Sequence, residues 1–230
     1  MVELLVSVVI PVHDGEHYLG EAIRSVTGQS HPEIEVIVVD DGSTDDSRVI
    51  AEAFGPPIRP VAQRRAGAGA ARNRGAELAR GAYLAFLDAD DLWTPSKIER
   101  ELEEFRRDPD LEMVFGHVRQ FHSPELGPAA ASRLACPPEL QPGLVPGTML
   151  IRREAFERVG GFDIDVRAGE AMHWLLRARE LRVREVLIPD LVLWRRVHAT
   201  NHSATDRDGL SDYARVLKAS IDRRRARHPA

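Results

Sequence analysis

Three aspartates collect at one point of this sequence. Residues 82–87 form an unbroken apolar or aromatic run, and Asp88, Asp90 and Asp91 follow it directly. Asp88 and Asp90 flank a single alanine, Ala89, and alternate side chains of an extended segment share a face. Two carboxylates on one face suit a hard divalent cation and the oxygens of a ligand that the cation carries. The alternative is that the aspartates form a turn and cap the helix that follows.

Acidic residues also end two earlier apolar runs. The run "LLVSVVIP" leads into Pro11, Val12, His13 and Asp14, and the run "IEVIVV" leads into Asp40 and Asp41. Ligands of open parallel sheets bind at the carboxyl ends of the strands. Carboxylates gathered there repel one another unless a cation, hydroxyls or a base N–H relieves the repulsion. Three strand ends of this kind favour a ligand site over a simple turn.

The elements that must position these residues alternate between strand and helix signals. Near-continuous apolar strands separated by helices are typical of a parallel sheet that is covered on both faces. The sequence therefore predicts an α/β, Rossmann-like, mostly parallel sheet flanked by helices. Thr94 is expected to cap a helix that has Pro95 at its first position and runs to about Arg107. Residues 122–146 hold six prolines and predict an irregular excursion.

Composition narrows the class of protein. The net charge of −5 gives no reason to expect a nucleic-acid partner. The single cysteine, Cys136, cannot form an intramolecular disulfide, which favours a reducing compartment and a cytoplasmic location. No stretch approaches the roughly 20 apolar residues of a membrane span. The N-terminal residues are interpreted as a first strand, because they lack the basic start of a signal peptide.

Four segments in order resemble the family 2 glycosyltransferases of the GT-A fold. They are "VSVVIPVHDGEHYLGEAIRSV", "IEVIVVDDGSTDDS", "GAGAARNRGAELARGAYLAFLDADDLWTP" and "GGFDIDVRAGEAMHWLLRA", and the resemblance covers roughly residues 5–203. It implies an inverting transfer of a sugar from a nucleotide-diphosphate sugar, expected to be a UDP-sugar. We expect one domain over 1–206, with a nucleotide-binding half at 1–120 and an acceptor-binding half at 121–206, and a helical tail over 207–230.

The resemblance also implies roles for the acidic strand ends. The Pro11 segment and Asp40 would hold the nucleoside, with Asp40 accepting from the base N–H, while Asp88 would contact the ribose. Nine residues are expected to bind the nucleotide: Pro11, Val12, His13, Asp14, Asp40, Asp41, Arg72, Asp88 and Ala89. For Arg72, a helix-surface arginine is the alternative, and His13 leaves the choice of base open.

A divalent metal is expected on the diphosphate. By the resemblance, Asp90 would bind it and His198 would be a second contact. Carboxylates favour Mg²⁺ or Mn²⁺, and a histidine partner favours Mn²⁺. The alternatives for His198 are an ordinary surface histidine or a zinc site shared with His202, for which no third ligand has motif spacing.

The expected catalytic base departs from the family pattern. The family has Glu-Asp where this sequence has Glu170 and Ala171. Glu170 is the nearest carboxylate, at the expected start of a helix, and we predict it to be the base, with Asp163 and Asp165 as substitutes. The base would take the proton of an acceptor hydroxyl as its oxygen attacks the anomeric carbon. Ala171 equally favours a weak or inactive nucleotide-sugar-binding protein.

Acceptor recognition is the least defined part of the prediction. The acceptor is expected to be a glycan, a lipid-linked molecule or a small molecule, with residues 122–146 and the tail setting its choice. Four residues are candidates on the acceptor side: Trp93, Gly147, Thr148 and Trp174. The basic run 223–228 offers peripheral contact with acidic lipid headgroups at the inner membrane face, or is a solvated helix end. The sequence does not determine the oligomeric state.

Two other enzyme classes fit the sequence less well. "GAGAAR" resembles a dinucleotide-binding motif, but about 60 residues of strand-helix pattern precede it, where that motif would follow the first strand. A nucleotidyltransferase would need a glycine-rich basic loop after the first strand, and "PVHDGEHYL" has one glycine and no lysine or arginine.

Overall fold

The computed structural model describes residues 4–165 and 169–200. Its first half is a regular alternation of strands and helices. In chain order the elements are β1 (Val6–Val12), α1 (Leu19–Thr27), β2 (Ile34–Asp40), α2 (Ser47–Ala53), β3 (Ile58–Ala62), α3 (Ala68–Leu78) and β4 (Tyr83–Phe86). β1 pairs in parallel with both β2 and β4, and β2 pairs in parallel with β3. The carboxyl ends of these four strands therefore lie along one edge of the sheet.

The second half adds antiparallel strands to the same sheet. Its elements are β5 (Leu92–Trp93), α4 (Lys97–Arg107), β6 (Met113–His122), α5 (Pro128–Ala131), β7 (Gln141–Pro142), a 3₁₀ turn (Pro146–Thr148), β8 (Met149–Arg152), α6 (Arg153–Val159), α7 (Glu170–Glu180) and β9 (Glu185–Val197). The strand order is β3-β2-β1-β4-β8-β6-β9-β5, with β7 paired to β6.

The sheet is mixed rather than purely parallel. β8 is antiparallel to both β4 and β6, whereas β6 and β9 are parallel. The proline-rich excursion leads into β8 through a 3₁₀ turn, without the crossover helix that a parallel neighbour requires. The predicted α/β layers are otherwise present.

Two apolar layers cover the sheet. All seven residues of β1 are buried, and their side chains alternate between the layers. Val8 and Ile10 pack with the buried faces of α1 and α4. Val9 belongs to the layer on the other side of the sheet, which also contains Ala71 of α3 and Trp174 of α7. A strand that is buried on both faces has the unbroken apolar run that the sequence shows.

The predicted ends of several elements shift. α4 begins at Lys97 with Ser96 as its N-cap residue, so Thr94 does not cap it, and the backbone N–H of Lys97 donates to the Thr94 carbonyl at 3.2 Å. The excursion contains the short helix α5 and strand β7. The predicted tail helix at 207–230 and its basic run lie outside the described residues. In the described part of the chain, no helix is long and apolar enough to span a membrane.

Candidate functional site

The strand register brings the acidic ends together. Val12 of β1 lies beside Asp40 of β2, and Val9 lies beside Phe86, the last residue of β4. The backbone N–H of Asp41 donates to the Val12 carbonyl at 2.8 Å. The Pro11–Asp14 segment, Asp40 and the turn after β4 consequently share one edge of the sheet, as the sequence predicts.

Asp40 and Asp41 differ in what their carboxylates do. Asp40 accepts one hydrogen bond, from the Ser43 N–H at 2.9 Å, whereas Asp41 accepts three. Those come from Gln63 Nε2 at 2.7 Å, the Ala66 N–H at 2.8 Å and the Gly67 N–H at 2.8 Å. Asp41 is 4% exposed, so its carboxylate is used to shape the loop before α3. The sequence predicts that the Asp41 carboxylate contacts a nucleotide, but its oxygens already accept hydrogen bonds from Gln63, Ala66 and Gly67.

His13 and Asp14 join the end of β1 to the turn after β2. His13 Nδ1 is 3.0 Å from the Asp41 carbonyl oxygen, and His13 Nε2 is 3.2 Å from Asp14. The Asp14 carboxylate accepts from the Thr44 N–H at 2.7 Å, and this backbone hydrogen bond lowers the pKa of Asp14. Pro11 and Val12 are buried. These residues therefore line and brace the edge where a nucleoside is expected.

Arg72 bridges two carboxylates of the candidate site. Its Nη2 atom lies 2.6 Å from Asp88 and its Nη1 atom lies 2.8 Å from Glu170. The guanidinium is buried and lies over the Phe162 ring, 5.6 Å from the ring centre. Burial lowers the pKa of Arg72, but the two carboxylates outweigh it and raise the pKa overall. The helix-surface alternative for Arg72 is wrong, because Arg72 connects the β4 end to α7.

Asp90 and His198 meet at the same edge. His198 Nε2 lies 2.9 Å from an Asp90 carboxylate oxygen, and His198 Nδ1 lies 2.9 Å from Thr200 Oγ1. His198 is 7% exposed, which rules out an ordinary surface histidine. The Tyr18 ring packs on the imidazole with 4.7 Å between ring centres. The two residues that the resemblance assigned to a metal are thus in direct contact.

Asp90 and His198 offer a carboxylate and an imidazole. This pair suits Mn²⁺ or Mg²⁺ if oxygen atoms of a ligand or of water complete the coordination. Mg²⁺ usually binds proteins through one or two carboxylates together with substrate phosphates and water. Imidazole is a common ligand of divalent transition metals. Within residues 4–165 and 169–200, no group of three or more His, Cys, Asp or Glu side chains could hold an ion by itself. The donor set fits a diphosphate-bound cation. His202, the other half of the zinc alternative, lies outside the described residues.

Asp91, the third aspartate of the cluster, is structural. It is 6% exposed and accepts from the Arg196 backbone N–H at 2.9 Å. Burial raises the pKa of Asp91 well above its usual value, and the neighbouring charges of Asp90 and Asp88 add to the rise. Asp91 therefore shapes the turn after β4 but does not cap α4, while Asp90 and the partly exposed Asp88 face the site edge.

Sequence reasoning missed Arg196. Its guanidinium donates to the Asp90 carbonyl oxygen at 3.0 Å and to Glu21, and it lies between the rings of Tyr18 and Phe121. A signal was available, since Arg196 and His198 are two residues apart at the end of an apolar strand, and such residues share a face.

The candidate bases lie at the start of α7 and just before it. Glu170 is the first residue of α7 and 19% of its side chain is exposed. Asp163 lies 3.0 Å from His173 Nδ1, and Asp165 is exposed. Ala171 lines a small apolar groove. Among these acids, Glu170 is the one that Arg72 ties to Asp88.

The four acceptor-side candidates are all buried. Trp93 is 4% exposed, its Nε1 donates to the Gly147 carbonyl at 2.7 Å, and its ring lies against Lys97. Trp174 is 2% exposed and stacks on Phe156. Gly147 and Thr148 are buried in the 3₁₀ turn. Neither indole offers a free face for a sugar, so Trp93 and Trp174 are core residues in this structure.

An acidic edge formed by the carboxyl ends of parallel strands, in a mixed sheet covered by helices, is the arrangement expected of a GT-A fold. The chain belongs to glycosyl transferase family 2, whose family model matches residues 7–160. The predicted family and fold class are confirmed. Glu170 and His198 lie beyond the matched range.

Known proteins agree with this assignment. An uncharacterized glycosyltransferase of Nostoc sp. is 44% identical over 117 residues, which is 49% of this chain and 36% of that protein. Chondroitin synthase of Escherichia coli is 38% identical over 114 residues, 48% of this chain and 17% of that protein. This chain thus matches about a third of one curated relative and a sixth of the other.

Solved structures share the fold. The crystal structure of S. aureus TarS 1-349 in complex with UDP superposes with a TM-score of 0.71 at 20% identity, and covers 94% of this chain and 64% of that chain. At this identity the similarity concerns the fold.

Proposed function

We propose that this protein transfers a sugar from a UDP-sugar to an acceptor hydroxyl with inversion, in a reaction that depends on Mn²⁺ or Mg²⁺. The observation that carries the proposal is the Asp88–Arg72–Glu170 bridge beside the Asp90–His198 pair. It connects the edge where a nucleotide is expected to the helix that holds a candidate base. The complexes of S. aureus TarS with UDP and with UDP-GlcNAc favour a uridine donor for this chain.

In this proposal the protein side chains divide the work. Asp40 accepts from the base, and Asp88, held by Arg72, accepts from the ribose. Asp90 and His198 would hold the cation, which when bound supplies positive charge to the departing diphosphate. Glu170 takes the proton of the acceptor hydroxyl while the acceptor oxygen forms a bond to the anomeric carbon. The acceptor oxygen attacks from the face opposite the diphosphate in a single displacement, and the bonding electrons leave with the diphosphate, so the anomeric configuration inverts.

The acceptor is proposed at the level of a chemical class. Chondroitin synthase, by its name, builds a glycan, and this favours a glycan or glycan-carrying acceptor for this chain. We propose a role in bacterial-type glycan biosynthesis, with the acceptor entering from the side of the 122–146 excursion.

A second candidate is a nucleotide-sugar-binding protein with little or no catalysis. Ala171 favours it, because a methyl group stands where the family resemblance implies an acid, and it faces the apolar side chains of Phe162, Trp174 and Leu175. In a protein of this kind, the nucleotide-binding and metal-binding residues would have the same roles, and only the proton transfer by a base would be missing.

One experiment separates the two candidates. Thermal shift with a panel of nucleotide sugars, with and without Mn²⁺, identifies the donor, and released UDP is then measured with several acceptors. We expect a UDP-sugar to raise Tm most, more so with Mn²⁺, and UDP to be released. Binding without release for every acceptor would favour the binding protein, and no shift with any nucleotide sugar would overturn both.

A further inference from the structure

Arg196 contacts Asp90 and several of the residues that surround the Asp90–His198 pair. It is the second-last residue of β9 and is 3% exposed. Its Nε donates to the Asp90 carbonyl oxygen at 3.0 Å and its backbone N–H donates to the Asp91 carboxylate at 2.9 Å. Two hydrogen bonds from Arg196 thus hold the turn at residues 88–91 in place.

The same guanidinium also supports the imidazole side of the pair. It lies 4.7 Å from the centre of the Tyr18 ring, and the Tyr18 ring packs on His198. Nη2 donates to Glu21 of α1, one turn beyond Tyr18. A cation held against an aromatic face and a carboxylate keeps both in a defined place.

Tyr18 is held from a second direction. Its hydroxyl donates to Glu125, and Glu125 also accepts from Ser123 Oγ at 2.6 Å. These hydrogen bonds, with Ser123 first, lower the pKa of Glu125 to about 2. Ser123 Oγ is in turn 3.4 Å from Arg196 Nη1, so the ring against His198 belongs to a network that returns to Arg196.

We propose that Arg196 is a positioning residue that sets the geometry of the Asp90–His198 pair. This inference rests on the proposed function, in which the pair holds a diphosphate-bound cation. Arg196 acts through the Asp90 backbone and through the Tyr18 ring, and it does not itself touch the donor. A lysine keeps the charge but lacks the planar fork that reaches several acceptors, so Arg196→Lys is the informative change.

Arg152 provides a matched control. It also lies over two aromatic rings, those of Tyr83 and Phe105, and its Nε donates to the Leu111 carbonyl at 2.8 Å. Arg152 pairs with the first residue of β4, at the end of that strand away from Asp88. Arg152→Lys therefore removes a comparable arginine from the opposite edge of the sheet.

Two measurements test the inference. The first is the imidazole ¹⁵N spectrum of His198 in metal-free protein at fixed neutral pH. The His198 signals are assigned as those that disappear in His198→Asn. The second is calorimetric titration of Mn²⁺ in the presence of UDP. We expect Arg196→Lys to shift the His198 signals and to weaken Mn²⁺ binding by about 10–100-fold, while Arg152→Lys changes neither.

The outcomes separate this inference from the proposed function. If Arg196→Lys matches Arg152→Lys in both measurements while the wild type binds Mn²⁺, the positioning role is overturned and the metal site stands. If the wild type does not bind Mn²⁺ but Arg196→Lys shifts the His198 signals, the positioning role holds and metal dependence fails. If Arg196→Lys does not fold, Glu21→Gln, which weakens one partner of Arg196, must shift the same signals, and unchanged signals overturn the inference.

Discussion

Single side chains at the strand edge have distinct tasks although their types are alike. Asp41 and Asp91 are buried and use their oxygens on backbone N–H groups, so they build the loops around the site. Asp88 contacts Arg72, Asp90 contacts His198, and both carboxylates remain partly exposed. Burial and hydrogen-bond demand, rather than residue type, therefore separate the acids that shape the site from those that can meet a ligand.

Asp90 is the proposed carboxylate ligand of the cation. Asp90→Asn should lower Mn²⁺-dependent turnover by about 100-fold or more, because stabilisation of the leaving diphosphate is worth several kcal/mol. Tm should change little, since an amide oxygen can still accept from His198. The measurement is UDP release against Mn²⁺ concentration, together with a melting curve.

The control for this prediction is Asp110→Asn. Asp110 is an exposed aspartate, with 82% of its side chain accessible and a partner in Arg184, and its change should leave turnover intact. Full activity in Asp90→Asn would contradict the metal assignment.

The residue Glu170 carries the proton transfer. Glu170→Gln should lower kcat by about 100-fold or more while KM for the donor changes little, because general base catalysis contributes about 10²–10⁴. The amide oxygen can still accept from Arg72, so the link to Asp88 is kept. Steady-state kinetics on the variant and on Asp165→Asn give the comparison, and an equal loss in Asp165→Asn would move the base to Asp165.

At the scale of elements, helix α3 holds the residues that connect the two halves of the candidate site. Asp41 holds the loop that starts α3, and Arg72 projects from its first half to join β4 and α7. Asn73 is the next residue, and its side chain exchanges two hydrogen bonds with the Phe162 backbone. The alanine- and glycine-rich surface of α3 lets it lie close to β1, and this approach determines where the Arg72 guanidinium reaches.

Gly75 tests the approach of α3 to β1. A Cβ atom at Gly75 would lie 2.2 Å from Val9 Cγ1, and Val9 is fully buried. Gly75→Ala should therefore destabilise the protein by about 1–3 kcal/mol through overpacking and should weaken UDP binding, since Arg72 lies one turn away. Urea unfolding and UDP calorimetry measure the two effects.

Gly20 of α1 provides a control for Gly75. A Cβ at Gly20 would come no closer than 3.5 Å to the flexible Arg24 side chain. Gly20→Ala should leave the free energy of unfolding unchanged or raise it by up to about 1 kcal/mol. Equal destabilisation by both changes would mean that backbone effects, and not the packing on Val9, determine the cost.

At the scale of the whole molecule, Glu35 ties three segments together. The β2 residue Glu35 accepts from Ser7 Oγ of β1 at 2.5 Å, and from the N–H and Nε of Arg80, before β4, at 2.6 and 2.8 Å. Burial raises the pKa of Glu35, but these hydrogen bonds outweigh it and the pKa is lowered overall. The network lies at the end of the strands away from the candidate site.

The lowered pKa gives a pH dependence of known sign. A carboxyl whose pKa is lower in the folded state contributes stability above its unfolded pKa and loses it as pH falls through the folded value. The unfolding free energy of the wild type should thus exceed that of Glu35→Gln at pH 7, and the gap should narrow as pH falls below the ordinary glutamate value of 4.5. Urea titrations at several pH values check this, and a gap that stays constant would contradict it.

Much of the fold could be predicted from local sequence. β1, β2 and β4 are short apolar runs followed by acids, and a strand buried on both faces requires such a pattern. The direction of β8 could not be predicted, because the run Met149–Arg152 is equally compatible with either pairing. Only the path of the preceding excursion decides between them.

The sequence by itself determined that Asp40, Asp88 and Asp90 share one edge of a sheet, because parallel strands bring their carboxyl ends together and each acid directly follows its strand. Only the tertiary structure decided that Arg72 joins Asp88 to Glu170, that Arg196 supports Asp90, and that Trp93 and Trp174 are core residues. These contacts connect residues far apart in the chain, and burial depends on what packs against a side chain, which local pattern does not specify.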